Sequence, residues 1–146
     1  MLRGHQSSTV DAKGRLKVPA LFLGELHKDN DEFYITSTKG DYARLYPMKV
    51  WQAIEESLMK LPSQHPTRRK FQVVTSYYGS TAKADAQGRV LLPAILRESA
   101  GLTGEVTVLG NQNYLEIWNS GRLVDQQIHG NAWNSGDDET LGNLGI

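Results

Sequence analysis

The chain contains no cysteine, and this absence removes several kinds of chemistry. Without a thiolate, a disulfide framework, a cysteine nucleophile and a cysteine-ligated zinc or iron–sulfur site are all excluded. Long hydrophobic runs are missing too: none approaches the ~20 residues that a membrane-spanning helix needs, and the N-terminus lacks the apolar region of a signal peptide. We therefore expect a cytoplasmic protein with no membrane partner.

Signatures of catalysis and of cofactor binding are also missing. The four histidines, at positions 5, 27, 65 and 129, do not have the spacing of metal ligands. The sequence has no Ser–His–Asp arrangement, phosphate-binding loop or dinucleotide fingerprint. We expect no metal, no cofactor and no enzyme activity, although only the absence of a site argues against an enzyme.

The sequence does have enough apolar material for a packed interior and an uneven distribution of charge. Of its 146 residues, 39% are hydrophobic, and the net charge is zero. Residues 1–119 contain 15 Lys and Arg against 12 Asp and Glu, whereas residues 120–146 contain one Arg against four acids. The neutral total therefore combines a basic body with an acidic end. Because Gly, Asn, Asp and Ser dominate this end, we expect a flexible acidic tail.

An internal repeat is the most informative feature of the chain. The segment DAKGRLKVPA at 11–20 returns as DAQGRVLLPA at 85–94, and YARLY at 42–46 resembles YLEIW at 114–118. Each half predicts a strand, a tight turn, a strand, a short helix and two more strands. An isolated unit would leave one apolar face exposed to water, so we expect the two units to bury these faces against each other. We predict an α+β fold whose two β-hairpin modules form a pseudo-two-fold, β-barrel-like core.

The segment between the copies has helical periodicity. Apolar residues recur at spacings of three and four between 47 and 61, and a second helix is expected from about 67 to 77. The predicted organisation is a first module, a helical linker packed on the core, a second module and the flexible tail. Their boundaries are 1–50, 51–78, 79–119 and 120–146.

Each repeated motif has the chemistry of a tight turn. Asp11 and Asp85 can accept backbone N–H groups across the turn, and Gly14 and Gly88 can adopt the positive φ that such turns require. Because the two aspartates lie at equivalent positions, we interpret them as turn-structuring residues rather than catalytic carboxylates.

The cations beside these turns are the candidate DNA-binding residues. Arg15 and Arg89 follow the turn glycines, where a guanidinium can bind phosphate or make a bidentate contact with guanine. Lys13 and Lys17 flank Arg15, whereas the second turn has only Lys83 nearby. We expect the first turn to contribute most of the affinity for DNA. The alternative for each arginine is a structural ion pair with the aspartate of its own turn.

The paired motifs resemble those of the MraZ family, within the AbrB-like swapped-hairpin superfamily. The similarity covers roughly residues 1–119. It rests on MLRG at 1–4, the motifs at 11–19 and 85–93, RRKF at 68–71 and LEIW at 115–118. One departure is Leu23, at a position where family members often have arginine; the second half keeps Arg97.

The resemblance implies a nucleoid-associated repressor of the division and cell-wall gene cluster. Such a protein would bind double-stranded DNA at direct repeats in its own promoter, as a homo-oligomeric ring. A ring-forming scaffold that binds a protein partner is the alternative. The basic segment 68–70 is open to three interpretations: a second phosphate patch, a solvated helix start or an intersubunit ion pair.

Overall fold

The computed structural model describes residues 1–26 and 32–146. His27, one of the four histidines considered above, lies outside these residues. The first copy and the following helices comprise β1 (His5–Val10), β2 (Arg15–Lys17), α1 (Ala20–Leu26), β3 (Glu32–Thr36), β4 (Ala43–Pro47), α2 (Met48–Leu58) and α3 (Pro66–Tyr77). The second copy comprises β5 (Ser80–Lys83), β6 (Arg89–Leu91), α4 (Ala94–Ala100), β7 (Gly104–Asn111) and β8 (Tyr114–Asn119). The predicted order of elements is confirmed in both copies.

Within the described chain, the strands form one antiparallel sheet of eight, in the order β5-β3-β4-β8-β7-β1-β2-β6. The first strand of each copy pairs with the third strand of the other, as β1 with β7 and β5 with β3. Equivalent strands also meet across the pseudo-two-fold axis, as β2 with β6 and β4 with β8. The sheet is nearly closed, which confirms the predicted α+β fold with a barrel-like core.

The barrel interior is filled by alternate residues of both motifs. Leu16, Val18, Val90 and Leu92 are each at most 1% exposed, and they pack in one continuous core. Burying an aliphatic side chain contributes about 1.5–3 kcal/mol. The apolar faces of the two copies therefore stabilise each other, as the repeat predicted.

The linker helices pack on the outside of the sheet through aromatic side chains. Trp51 of α2 is buried and stacks on Tyr34 of β3, with ring centroids 4.5 Å apart. Phe71 of α3 also stacks with Trp51, with ring centroids 6.0 Å apart. α3 begins at Pro66, whose missing N–H costs nothing in the first turn, and His65 caps it by accepting a bond from the Thr67 N–H.

The tail contains helices that its composition did not indicate. These are α5 (Ser120–Leu123), a π-helical segment (Val124–His129) and α6 (Ser135–Gly142). Asn134 and Asp137 form a reciprocal capping box at the start of α6. Leu123 packs inward, whereas almost all later side chains are exposed. The flexibility of this tail stays a prediction. Among the described residues, no helix is both long and apolar enough to cross a membrane.

Candidate nucleic-acid interface

The first turn is organised by one carboxylate. Asp11 Oδ1 accepts the backbone N–H groups of Lys13 and Arg15 at 3.0 and 2.9 Å. The Gly14 N–H donates to the Asp11 carbonyl at 2.9 Å, and Gly14 has a φ of +86°. Asp11 thus accepts two backbone N–H groups across the turn, and Gly14 takes the positive φ at its tip.

The second turn repeats this arrangement. Asp85 Oδ1 accepts the N–H groups of Gln87 and Arg89, each at 2.9 Å. Gly88 has a φ of +74° and donates its N–H to the Asp85 carbonyl at 3.0 Å. The two copies thus produce the same local structure from the same residues at equivalent positions.

Each turn arginine is held by the aspartate of its own turn. Arg15 Nε donates to Asp11 Oδ2 at 2.8 Å, and Arg89 Nε donates to Asp85 Oδ2 at 2.9 Å. The structural ion pair considered as an alternative is therefore present. It occupies only one of the five N–H donors of each guanidinium. Within the described chain the Nη atoms make no hydrogen bond, although Arg89 Nη1 also forms an ion pair with Asp11 Oδ2 of the other turn at 4.0 Å. The guanidinium ends therefore keep unused N–H donors for a ligand.

The two turns lie side by side, although 74 residues separate them in sequence. In the β2–β6 pair, Lys17 is opposite Arg89, and Arg15 is opposite Leu91. Backbone bonds tie each strand to the other turn: the Val18 N–H donates to the Gly88 carbonyl at 3.0 Å, with a matching bond between Leu92 and Gly14. The two turns and their strands, residues 11–17 and 85–91, form what we call the paired-turn surface.

Four of the five predicted DNA-binding cations lie on this surface. Lys13 is exposed at the tip of the first turn, and Lys17 reaches across to donate from Nζ to the Gln87 carbonyl. Lys83 is placed differently, because it lies on β5 opposite Glu32 of β3. An acidic residue directly across a strand offsets part of its charge.

Arg97 lies beside the first turn, although it was not among the DNA-binding residues predicted from the sequence. A Cβ atom on Gly14 would lie 2.3 Å from Cζ of Arg97, so the guanidinium covers the turn backbone at this point. Arg97 Nε also donates to the Leu92 carbonyl at 3.2 Å. The equivalent residue of the other copy, Leu23, covers Gly88 in the same way. Leu23 and Arg97 occupy equivalent positions in the two copies of the repeat. Because strands of one copy pair with strands of the other, Arg97 lies against the first turn and Leu23 against the second.

The carboxylates of both turns are stabilised as anions. The backbone N–H of Arg15 lowers the pKa of Asp11, and the side chain of the same arginine lowers it further. The backbone N–H groups of Arg89 and Gln87 lower the pKa of Asp85 in the same manner. The aspartates are therefore charged at neutral pH and can hold both the turns and the arginines.

In the basic segment 68–70 at the start of α3, Arg68 has a structural contact. Arg68 Nη1 donates to the Leu61 carbonyl at 2.8 Å, which ties α3 to the end of the α2 region. Arg69 and Lys70 are exposed. No group of His, Asp or Glu among the described residues could hold a metal ion.

Fold and surface together define a class of protein: a nearly closed, barrel-like β-sheet made of two copies of one hairpin motif, with two arginine-bearing turns side by side. A family described as "MraZ protein, putative antitoxin-like" matches residues 1–74 and 80–129. The chain belongs to the MraZ family.

Curated relatives agree with this assignment. The transcriptional regulator MraZ of Koribacter versatilis is 45% identical over 148 residues, and that of Acidobacterium capsulatum is 42% identical over 147; both comparisons cover the whole of each chain. The transcriptional regulator MraZ of a Marinomonas species is 38% identical over 121 residues, which are 81% of this chain and 80% of the relative.

Proposed function

We propose that this protein is a DNA-binding transcriptional regulator that contacts promoter DNA through the paired-turn surface. The observation that carries the proposal is the arrangement of Arg15 and Arg89. Each is anchored at Nε by an aspartate, which leaves its Nη atoms available. An arginine in this state can grip a phosphate or bind guanine O6 and N7 in the major groove.

Anchoring also lowers the cost of binding. A free arginine side chain loses rotamer freedom when it contacts DNA, at about 0.5–1.5 kcal/mol for an immobilised side chain. The contacts of Asp11 and Asp85 restrict that freedom before DNA arrives. Lys13 adds charge beside Arg15, and Lys17 adds charge on the strand of the first turn, from which it reaches the second turn. We expect the first turn to supply more of the affinity than the second.

The family resemblance also supports a proposal for the cellular role of the protein. The regulator acts as a repressor of the division and cell-wall gene cluster, is associated with the nucleoid and is not an enzyme. It binds direct repeats in the promoter of its own operon as a homo-oligomeric ring. The similarity to relatives named as transcriptional regulators supports this proposal at the level of the family.

A fluorescence titration of the protein with its own promoter, at two salt concentrations, tests DNA binding. We expect log K to fall with log salt by about 0.9 for each phosphate contact on duplex DNA. Arg15→Ala should weaken binding more than tenfold, and Arg89→Ala should weaken it less. Lys60→Ala is the matched control, because it removes an exposed cation outside the paired-turn surface.

Circular dichroism and size-exclusion profiles should be unchanged in all three variants. Unchanged DNA affinity in a well-folded Arg15→Ala protein would rule out the proposed contact.

The alternative function, a ring-forming scaffold for a protein partner, also has one supporting observation. A groove of about 820 Å³ lies between α2 and α3, and its lining includes the exposed side chains of Met59, Val73 and Tyr77. Binding through such a surface would depend little on salt. The same two-salt titration, repeated with a captured protein partner, therefore separates the two functions.

A further inference from the structure

The two turns of the paired-turn surface differ in the chemistry of equivalent positions. The first turn has Lys13 at its tip and Lys17 on its strand, and the second turn has Gln87 and Leu91 there. We propose that Gln87 is a specificity-determining residue that reads adenine in the major groove, while the first turn binds phosphate. This inference rests on the proposed DNA-binding function.

The backbone of Gln87 is held in place from two sides. Its N–H donates to Asp85 Oδ1 at 2.9 Å, and its carbonyl accepts a hydrogen bond from Nζ of Lys17 in the other copy. A side chain on a fixed backbone is displayed in a defined position, which base recognition needs.

The carboxamide of Gln87 is free to recognise a base. Gln87 is exposed, and its side chain makes no hydrogen bond within the described chain. A carboxamide offers an acceptor and two donors, and therefore complements adenine N6–H and N7 in a bidentate pair. The lysine at the equivalent position, Lys13, can only donate, which suits a phosphate oxygen.

Leu91 fits the same kind of contact. It is an apolar residue, 55% exposed, and lies in the β2–β6 pair opposite Arg15. Each A·T pair presents the thymine methyl group in the same groove as adenine N6 and N7, and apolar side chains make contact with that methyl group. At these two positions the second turn therefore has side chains suited to A·T pairs, whereas the first has two lysines, of which Lys13 is exposed at the tip and Lys17 donates to the Gln87 carbonyl. This difference gives the protomer a direction on DNA, which matches direct repeats better than a palindrome.

The test compares Gln87→Ala with Lys13→Ala on a panel of promoter elements in which each A·T pair is changed singly to G·C. The wild type should lose roughly 5- to 150-fold in affinity at one or more A·T positions, the value of one bidentate pair. Gln87→Ala should bind the parent element more weakly by a similar factor and lose discrimination at that position. Its salt dependence should stay that of the wild type.

Lys13→Ala is the matched control, because it removes the equivalent residue of the first turn. It should weaken binding to every element equally and reduce the salt slope by about 0.9, the value for one phosphate contact. A third variant, Gln87→Lys, makes the second tip a copy of the first, and should lose discrimination while its salt slope becomes steeper. Thermal unfolding of all three should match the wild type.

The outcomes separate this inference from the proposed function. If the wild type and Arg15→Ala behave as proposed but Gln87→Ala keeps full discrimination at every position, the adenine contact alone is wrong. A uniform loss with a reduced salt slope in Gln87→Ala would make Gln87 a phosphate-site residue and would equally overturn it. If the wild type does not bind the promoter at all, both proposals fail.

Discussion

The glycine of the first turn is constrained by its own backbone and by a neighbouring cation. Gly14 has a φ of +86°, and the guanidinium of Arg97 lies where a side chain on Gly14 would start. The backbone conformation disfavours any L side chain, and the guanidinium would have to move to admit one. Gly14 thus links the shape of the turn to the position of a cation from the other copy.

Replacing Gly14 by valine should therefore lower stability and not only DNA binding. A β-branched residue at positive φ is strained by roughly 1–3 kcal/mol. We expect a lower melting temperature in thermal unfolding monitored by circular dichroism. Gly24→Val is the control, because Gly24 has open space around it and no positive φ. Equal melting temperatures for Gly14→Val and the wild type would show that the turn can adopt another conformation.

At the scale of elements, the turns behave as small units organised by ionised aspartates. Asp11 and Asp85 have lowered pKa values in the folded protein, mainly through backbone N–H donors in their own turns. A carboxyl group with a lowered folded pKa favours the fold at pH values above its unfolded pKa of about 3.9. This contribution is lost as the pH falls through the folded pKa.

We predict that both turns loosen below about pH 4, the usual pKa of aspartate. Thermal unfolding from pH 7 to pH 2 should show a loss of stability in this range, to which Asp11 and Asp85 contribute. The double variant Asp11→Asn with Asp85→Asn should be less stable at pH 7 and should lose less on acidification, because it has no carboxylate to protonate. Asp125→Asn, in the exposed tail, is the control and should follow the wild type. Parallel pH profiles for the wild type and the double variant would contradict this role.

At the scale of the whole molecule, one protomer presents the paired-turn surface, which is small and basic. Four cations on that surface allow only a few phosphate contacts, which give weak and salt-sensitive binding. Specific regulators reach the range of about 10⁻⁸–10⁻¹¹ M. Joining several such surfaces in one ring makes later contacts intramolecular and can raise avidity by roughly 10²–10⁴. Head-to-tail packing would repeat the paired-turn surface at regular intervals, as direct repeats require.

DNA with several correctly spaced elements should therefore bind much more tightly than DNA with one. Inserting about five base pairs, half a helical turn, between elements should remove most of the gain, because it turns one element to the opposite face of the duplex. Fluorescence titrations with one-element, multi-element and insertion DNAs measure this directly. Equal affinity for one element and for several would contradict the multivalent ring while leaving DNA binding by the protomer intact.

Local features of this chain could be predicted from its sequence because they depend on neighbouring residues. The turn geometry follows from an aspartate three residues before a glycine, as in Asp11 and Gly14. The apolar alternation of residues 15–18 determines which side chains enter the core. The start of α3 at Pro66 and the left-handed residue that ends α4, Gly101, likewise follow from local chemistry.

The partners of each element were decided only by the tertiary structure. Periodicity identifies a strand with one buried face, but it does not say which of several strands will pair with it. In the sheet β2 pairs with β6, and this pairing brings together two turns that lie 74 residues apart in the sequence. The same pairing places Arg97 against Gly14 and brings Lys17 to the backbone of Gln87. Composition, repeat and turn chemistry thus determined the elements and the candidate arginines, whereas burial of both apolar faces in a common core decided that these residues share one surface.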